Sequence, residues 1–262
     1  MTTIEEAIAI IPARGGSKGI PRKNLEKVGG VELVVRSVRA AQAALRVGEV
    51  VVSTDDAQIA SCAAATGASI VWRPDELSGD TVASEPVILH TLDALEARGR
   101  SAAAVAVFLQ CTSPFTEPGD IDGALELLEA ERADSVFTGC RFHGFVWAPS
   151  PEGFVGVNHD RTHRPRRQDA PVQLLENGAL YAFRVPGFLV ARHRFFGRVA
   201  AFEMPVRRSL EIDEPFDLEL AAMISAQYWP QRSLIDALDA VVFDFDGVLT
   251  DNRVTVDESG QE

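Results

Sequence analysis

The sequence predicts an α/β fold built around a mostly parallel sheet. Apolar runs rich in valine and isoleucine, which are typical of buried strands, alternate along the chain with stretches of helical periodicity. Strands that are separated by helices pair in parallel through right-handed crossovers, so this alternation favours one sheet with helices on its faces. The length of 262 residues is enough for one sizeable core and a small appendage.

Six strands and five helices are predicted in turn. The strands cover residues 7–11, 49–53, 69–72, 103–109, 135–139 and 179–183. The helices cover about residues 31–45, 56–66, 84–97, 118–131 and 215–228. Because open parallel sheets bind ligands beyond the carboxyl ends of their strands, the loops 12–24, 54–56 and 110–116 are the expected binding loops.

Residues 141–178 interrupt the alternation of strands and helices. They carry four aromatic side chains and then a basic run from Arg161 to Gln168. We expect a protruding segment that covers a site or contacts a partner subunit, and a solvated loop is the alternative. Residues 231–239 look like a linker, after which a new strand begins near residue 240.

The composition argues against several functional classes. The apolar fraction of 46% and the charged fraction of 24% are ordinary for a globular protein. The net charge of −13 argues against nonspecific binding to nucleic acids or membrane surfaces. The three scattered cysteines lack metal-ligand spacing and are typical of reduced thiols in a cytoplasmic protein. The acidic N-terminus is unlike a signal peptide, and no apolar run reaches transmembrane length.

The loop after the first predicted strand is the strongest functional signal. Residues 12–24 contain three glycines and four cations, and the three lysines of the chain, Lys18, Lys23 and Lys27, lie in or next to it. Glycines allow backbone N–H groups to turn toward a ligand, and cations suit a polyanion, so the loop predicts a triphosphate site. The alternative is a basic surface turn. Neither the Walker pattern nor Gly-x-Gly-x-x-Gly is present.

Residues 8–25 resemble the N-terminal signature of the N-acylneuraminate cytidylyltransferases, which join CTP to a nine-carbon 2-keto acid sugar and release pyrophosphate. The resemblance extends over about residues 6–228 and implies a cytidylyltransferase domain at 1–230 with a Rossmann-like nucleotidyltransferase fold. It implies that Arg14 and Lys23 are catalytic, neutralising charge on the α-phosphate and the departing pyrophosphate. The implied nucleotide contacts of the loop are Ala13, Arg14, Gly15, Gly16, Ser17, Lys18, Lys23 and Asn24.

A second segment, residues 72–84, resembles the part of this family that borders the cytosine ring. The resemblance implies nucleotide contacts from Arg73 and Ser84, and weaker ones from Asp80 and Thr81. Short polar groups suit this role, because cytosine offers an amino donor and a carbonyl acceptor.

A third segment, residues 109–115, follows a predicted buried strand and resembles the family's contact with the acceptor sugar. It implies that Gln110, Thr112 and Ser113 lie near the sugar. Threonine and serine before proline also commonly start helices, so a helix N-cap is the alternative. Phe195 and Phe196 are candidates to flank the N-acyl group, with core packing as an equal alternative.

Residues 176–181 resemble a further segment beside the sugar and imply contacts from Asn177 and Tyr181. Some family members carry an arginine two positions before the asparagine, where this chain has Leu175. The basic run fits family members in which one subunit reaches into its neighbour's site. We therefore expect a homodimer in which Arg167 meets the sugar carboxylate.

Glu211 and Asp213 are the candidate metal ligands. On a strand-like stretch, alternating residues face the same side, and carboxylate oxygens suit Mg²⁺, with Mn²⁺ as the expected substitute. The family pattern is Asp-Ile-Asp, so Asp213 is the firmer ligand, with a catalytic role, and Glu211 could act through water. Asp217 is interpreted as a residue of the following helix's first turn. A solvated acidic turn is the alternative.

The tail, residues 242–251, resembles the first motif of the haloacid-dehalogenase-type phosphatases, in which Asp244 would be the nucleophile and Asp246 the acid/base. The later motifs of that family do not follow, so we expect a truncated phosphatase-like start at 240–262 without activity. Two other functions stay open: a nucleotidyltransferase for another base or sialic-acid analogue, and a non-catalytic sugar-nucleotide binder.

Overall fold

The structure, a computed structural model, describes residues 6–100 and 103–228. The predicted linker at 231–239 and the phosphatase-like start at 240–262, with Asp244 and Asp246, lie outside the described residues. Of the helices that are described, none is both long enough and apolar enough to cross a membrane.

Within the described ranges the chain forms eleven strands and six α-helices. The strands are β1 (Ala7–Pro12), β2 (Lys27–Val28), β3 (Val31–Glu32), β4 (Val47–Thr54), β5 (Ser69–Trp72), β6 (Val105–Leu109), β7 (Ser135–Phe142), β8 (Trp147–Ser150), β9 (Gly153–Gly156), β10 (Gln173–Arg184) and β11 (Val199–Glu203). The helices are α1 (Leu33–Ala43), α2 (Ala57–Ala65), α3 (Ser84–Ala97), α4 (Pro118–Ala130), α5 (Val185–Ala191) and α6 (Pro215–Tyr228).

Seven of these strands form the central sheet, in the order β11-β7-β10-β6-β1-β4-β5. β1 pairs in parallel with β4 and β6, β4 with β5, and β7 with β11, so the predicted α/β fold with a mostly parallel sheet is confirmed. β10 is the exception, because it runs antiparallel to both β6 and β7. A parallel return needs a long crossover, usually a helix, and the segment 143–172, all of it described, contains no helix.

Helices cover both faces of the sheet. α1, α2 and α4 pack in one apolar cluster, and α3 and α5 pack in the other. β1 and β6 lie in the middle, so every residue of β6 and five of the six in β1 are buried. Burial on both faces explains their continuous apolar sequences, and it brings their carboxyl ends together at one edge.

Several elements differ from the prediction. The predicted helix at 31–45 begins later, because Val31 and Glu32 form β3, which pairs with β2. β8 and β9 form a hairpin inside the 141–178 segment. Neither α5 nor β11 is among the predicted elements. α5 has only seven residues, which is too short for a clear helical period. The five residues of β11 do not alternate between apolar and polar.

Candidate active site

A cavity of about 270 Å³ opens at the carboxyl ends of β1 and β6. Most of the predicted nucleotide residues line it, as do two predicted sugar residues and both predicted metal ligands. These lining residues are Arg14, Gly16, Ser17, Lys23, Asn24, Arg73, Asp80, Ser84, Gln110, Thr112, Glu211 and Asp213. A larger cavity of about 570 Å³ lies at the opposite edge, where β1 and β6 begin, and none of the predicted site residues lines it.

The glycine-rich loop is held against its neighbours by close backbone contacts. The N–H of Gly15 donates to Asp55 Oδ1 at 2.9 Å. A Cβ atom at Gly19 would lie 2.5 Å from the carbonyl oxygen of Asp213, so only glycine allows this approach. The buried side chain of Asn24 donates to the carbonyl of Arg14 at 2.9 Å and closes the loop on itself.

The loop cations are paired with acidic groups. Arg14 Nη1 lies 2.8 Å from the carbonyl oxygen of Gly79 and 3.0 Å from Asp80 Oδ1, and Lys18 Nζ lies 3.5 Å from the other oxygen of Asp80. Lys23 Nζ donates to the carbonyl of Ile212 at 2.8 Å and to Asp213 Oδ1 at 3.0 Å. An anionic ligand in the cavity would therefore meet cations that are already in place, by displacing carboxylates from them.

Arg73 is a buried residue of the cavity lining. It follows β5 and is 8% exposed, and its Nη2 donates to the carbonyl of Ser53 at 2.8 Å. Burial lowers the pKa of its guanidinium, against the opposing charge of Asp55. Ser84 is the first residue of α3, and its position in the lining brings the start of that helix to the cavity.

The predicted metal ligands, Glu211 and Asp213, line the cavity from a coil rather than from a strand. The buried Ile212 anchors this coil, because its N–H donates to the carbonyl of Thr112 at 2.8 Å. Glu211 accepts from Thr112 Oγ1 at 3.3 Å. Burial raises the pKa of Glu211, and the neighbouring charge of Asp213 adds to this effect. The two carboxylates thus face one cavity and repel each other.

The expected role of Asp217 in the first turn of α6 is confirmed. Its Oδ2 accepts from the N–H of Glu214 at 2.8 Å and from that of Asp213 at 2.9 Å, and these two hydrogen bonds lower its pKa. Among the described residues, no group of three or more histidine, cysteine, aspartate or glutamate side chains comes together as a metal site.

Three of the predicted sugar residues lie behind the cavity wall. The Asn177 side chain accepts from Thr138 Oγ1 at 2.7 Å and donates to Ser209 Oγ at 3.0 Å, so its amide is already engaged. Ser113 is 2% exposed, and its hydroxyl points to the carbonyl of Asn177 at 3.5 Å. The Tyr181 hydroxyl donates to Glu176. These groups brace the wall that Gln110 and Thr112 line.

The alternative of a helix N-cap at Thr112 and Ser113 is wrong. The next helix, α4, begins at Pro118, and its N-cap is Glu117, which forms a capping box with Asp120. The reason is that the chain first makes further turns between residues 111 and 117 before it enters the helix.

The remaining predicted residues lie apart from the cavity lining. Ala13, Gly15 and Lys18 belong to the loop but do not line the cavity, and Thr81 lies beside Asp80 without lining it. Phe196 is half-buried, as is Phe195. Arg167 is exposed on the 141–178 segment, in a separate surface depression.

The structure brings further residues to the site that the sequence analysis does not name. Phe108 lines the cavity and stacks on Tyr181, with the ring centroids 5.5 Å apart. The guanidinium of Arg194 lies over both rings and pairs with Glu85. No sequence pattern could have joined Arg194 to Glu85, which is 109 positions away.

A cationic glycine-rich loop at the carboxyl edge of an α/β sheet thus faces two carboxylates across one cavity. Residues 8–221 match the cytidylyltransferase family, and the chain belongs to that family.

Named relatives agree with this assignment. The chain is 33% identical over 261 residues to an N-acylneuraminate cytidylyltransferase A from Danio rerio, covering 97% of this chain and 59% of that protein. It is 31% identical over 233 residues to an N-acylneuraminate cytidylyltransferase from Escherichia coli, covering 87% of this chain and 54% of that protein. The chain thus spans between half and three-fifths of the length of these relatives.

Two solved structures share the fold. One is CMP:2-keto-3-deoxy-manno-octonic acid synthetase in complex with CTP, with a TM-score of 0.60 and 19% identity, covering 85% of this chain and 99% of that one. The other is a 4-diphosphocytidyl-2C-methyl-D-erythritol synthase, with a TM-score of 0.62 and 13% identity, covering 84% of this chain and 99% of that one.

Proposed function

We propose that this chain transfers CMP from CTP to a nine-carbon 2-keto sugar acid of the N-acylneuraminate type and releases pyrophosphate. The observation that carries the proposal is the cavity in which Arg14 and Lys23 face Glu211 and Asp213. The names of the relatives support the choice of base and sugar class.

The proposed reaction is an in-line displacement at the α-phosphorus of CTP. A bond forms between this phosphorus and the anomeric oxygen of the sugar, the bond to the bridging oxygen of pyrophosphate breaks, and the hydroxyl proton passes to water. Arg14 and Lys23 stabilise the negative charge that develops on the phosphates and the leaving group. Gln110 and Thr112 hold the acceptor at the opposite side of the cavity, and Arg73 and Ser84 border the cytosine ring.

The carboxylates fit a magnesium ion that also binds phosphate. Mg²⁺ is usually held by one or two carboxylates together with substrate phosphates and waters, and Glu211 and Asp213 offer such a pair. Burial, and to a smaller extent the charge of Asp213, raises the pKa of Glu211, and a cation bound beside this carboxylate would favour its ionised form. We propose that these residues hold Mg²⁺ or Mn²⁺, which supplies charge neutralisation at the phosphates. Turnover that is unchanged in excess EDTA would contradict this assignment.

The nucleotide and the acceptor can be tested together. Initial rates of pyrophosphate release are compared for CTP, UTP and ATP, each with N-acetylneuraminate and with a 2-keto acid sugar of eight carbons. The proposal expects release only with CTP, and a faster rate with the nine-carbon acid. A preference for another nucleotide would support the related transferase, whereas CTP binding without turnover would support the non-catalytic binder.

We further propose a homodimer in which the 141–178 segment of one subunit completes the site of the other. Apolar side chains are exposed on this segment, among them Phe154 at 66% and Val172 at 70%. Arg167 is exposed there as well, outside the cavity of its own chain. A partner subunit is the occupant that fits both observations. The predicted cytoplasmic location also stays a proposal.

Complementation tests the shared site. Arg167→Ala is expected to raise the KM for the sugar more than that for CTP, while Arg161→Ala, in the same basic run, serves as the matched control. When Arg167→Ala and Lys23→Ala subunits exchange, each mixed dimer holds one intact site, so assays at low sugar should recover about a quarter of wild-type activity. No recovery after proven exchange, or a fully active monomer by light scattering, would contradict the arrangement.

A further inference from the structure

Arg194 lies beside the candidate site in an unusual environment. It follows α5 in the chain, and its Nε donates to Glu85 Oε1 at 2.7 Å. Both side chains are largely buried, at 16% and 11% exposure. The guanidinium also lies 4.6 Å from the ring centroid of Tyr181 and 5.0 Å from that of Phe108.

This environment holds the Arg194 side chain in one position. Burial alone would raise the pKa of Glu85, but the hydrogen bond and the charge of Arg194, together with a backbone hydrogen bond, outweigh burial and lower it. Burying two charges carries a desolvation penalty that an ion pair often fails to repay. Contacts with two ring faces add cation–π attraction. The ion pair between Arg194 and Glu85 therefore adds little net stability but fixes the guanidinium in one geometry. Such a fixed group is suited to holding neighbouring side chains in position.

Arg194 joins the two halves of the site. Glu85 is the second residue of α3 and directly follows Ser84, which lines the cavity on the proposed nucleotide side. Tyr181 lies on the proposed acceptor side, where the ring of Phe195 packs edge-on against it with the centroids 5.8 Å apart. The side chain of Arg194 therefore spans from the start of α3 to the ring of Tyr181.

We propose that Arg194 is a positioning residue for the acceptor sugar, acting through an aromatic wall formed by Phe108, which lines the cavity, and Tyr181, which stacks behind it. The inference rests on the proposed function, because it assumes that the aromatic wall meets a sugar acid. Without the guanidinium, the wall loses the contact that fixes it relative to α3. The acceptor then binds less well, while the phosphate contacts of the glycine-rich loop are untouched.

The test compares three variants by steady-state kinetics and thermal unfolding. Arg194→Met keeps the length of the side chain but removes the guanidinium, and it should raise the KM for N-acetylneuraminate roughly tenfold or more. Its kcat and its KM for CTP should stay within about threefold of wild type. Arg194→Lys keeps a cation over the rings without the planar fork, so it should show an intermediate KM. Arg198→Met is the matched control, because Arg198 lies on the same loop, is 63% exposed and pairs with Glu131.

The possible results distinguish a failure of the Arg194 inference from a failure of the proposed function. An equal rise in the KM for the sugar acid and the KM for CTP, together with a large drop in melting temperature, would show that Arg194 is only structural. An unchanged KM for the sugar acid in Arg194→Met would also overturn the inference, with the proposed function intact. Absence of turnover in the wild type would instead overturn the proposed function, and the inference with it.

Discussion

Replacing Lys23 by alanine should separate catalysis from folding. Lys23 is the least exposed of the three lysines, with a side chain 14% exposed compared with 75% for Lys18 and 59% for Lys27. Its ammonium group lies at the cavity, 3.0 Å from Asp213 Oδ1 and 2.8 Å from the carbonyl of Ile212. A fixed cation here can stabilise charge on the departing pyrophosphate.

The two effects of the substitution differ in size. Loss of one preorganised donor to a transition state costs about 2.7–4 kcal/mol, which lowers kcat by roughly 10²–10³. The ion pair with Asp213 contributes much less to folding, because the Asp213 side chain is 65% exposed, and such pairs contribute about 0.2–1 kcal/mol. Lys23→Ala should therefore lose most of its activity while its unfolding temperature falls only slightly.

Rates of pyrophosphate release at saturating CTP and sugar acid, together with thermal unfolding, measure both effects. Lys27→Ala is the matched control, because Lys27 pairs with Glu32 at 3.2 Å and lies outside the cavity lining. Arg14→Ala should fall in the same range as Lys23→Ala. A kcat within threefold of wild type for Lys23→Ala, or an equal loss in Lys27→Ala, would refute the reasoning.

Three further outcomes follow from single contacts. Asp80→Asn should tighten CTP binding by up to about fivefold, because Arg14 and Lys18 no longer have to leave a carboxylate, and an exposed pair contributes at most about 1 kcal/mol; titration calorimetry measures it. Burial raises the pKa of Cys111 to about 12, so peptide mass spectrometry after iodoacetamide treatment at pH 8 should find it unmodified in the native protein. Asp56→Ala should lower the free energy of unfolding by about 1 kcal/mol at pH 7, because Asp56 caps α2 through the N–H groups of Gln58 and Ile59.

The Asp56 effect has a defined pH dependence. Burial alone would raise the pKa of this carboxyl, but the hydrogen bonds from Ile59 and Gln58 and the charge of Arg22 outweigh burial and lower it. A lowered pKa in the folded state stabilises the protein above the unfolded value, and this contribution is lost as the pH falls through the folded value. The difference between wild type and Asp56→Ala should therefore shrink below about pH 4.

Each of these predictions has a result that would count against it. Weaker CTP binding in Asp80→Asn would show that Asp80 contacts the nucleotide directly. Rapid alkylation of native Cys111, with denatured protein as the control for reactivity, would show that the thiol becomes exposed to solvent in the folded protein. A pH-independent difference for Asp56→Ala would show that its charge is not what caps the helix.

The sequence predicts the regular core of this fold well and its irregular parts poorly. β1 and β6 are buried on both faces, so their residues read as continuous apolar runs with turn signals on either side. The alternation of strands and helices does not predict that β10 is antiparallel, because the direction of β10 depends on the connection from β7 and not on its own residues. The same limit applies to α5, which is a single short helix.

The site shows the same division. The position of the loop 12–24 at the cavity could be predicted, because its glycines and cations are adjacent in sequence and follow a buried strand. That Glu211 and Asp213 face the same cavity could be predicted from their spacing, although a coil anchored by Ile212 carries them and not a strand. The ion pair between Arg194 and Glu85 could not, because tertiary packing alone brings these residues together.

The central claim is that the cavity at the end of β1 and β6 joins CMP to a sugar acid. Phosphorus NMR of a reaction of the purified chain with CTP, N-acetylneuraminate and Mg²⁺ tests it most directly, with Lys23→Ala as the inactive control. We expect one new signal from a phosphodiester whose phosphorus is bonded to the anomeric oxygen of the sugar. This signal should grow in equal amount with that of pyrophosphate. Release of free CMP without that phosphodiester, or no change in the CTP signals, would contradict the account.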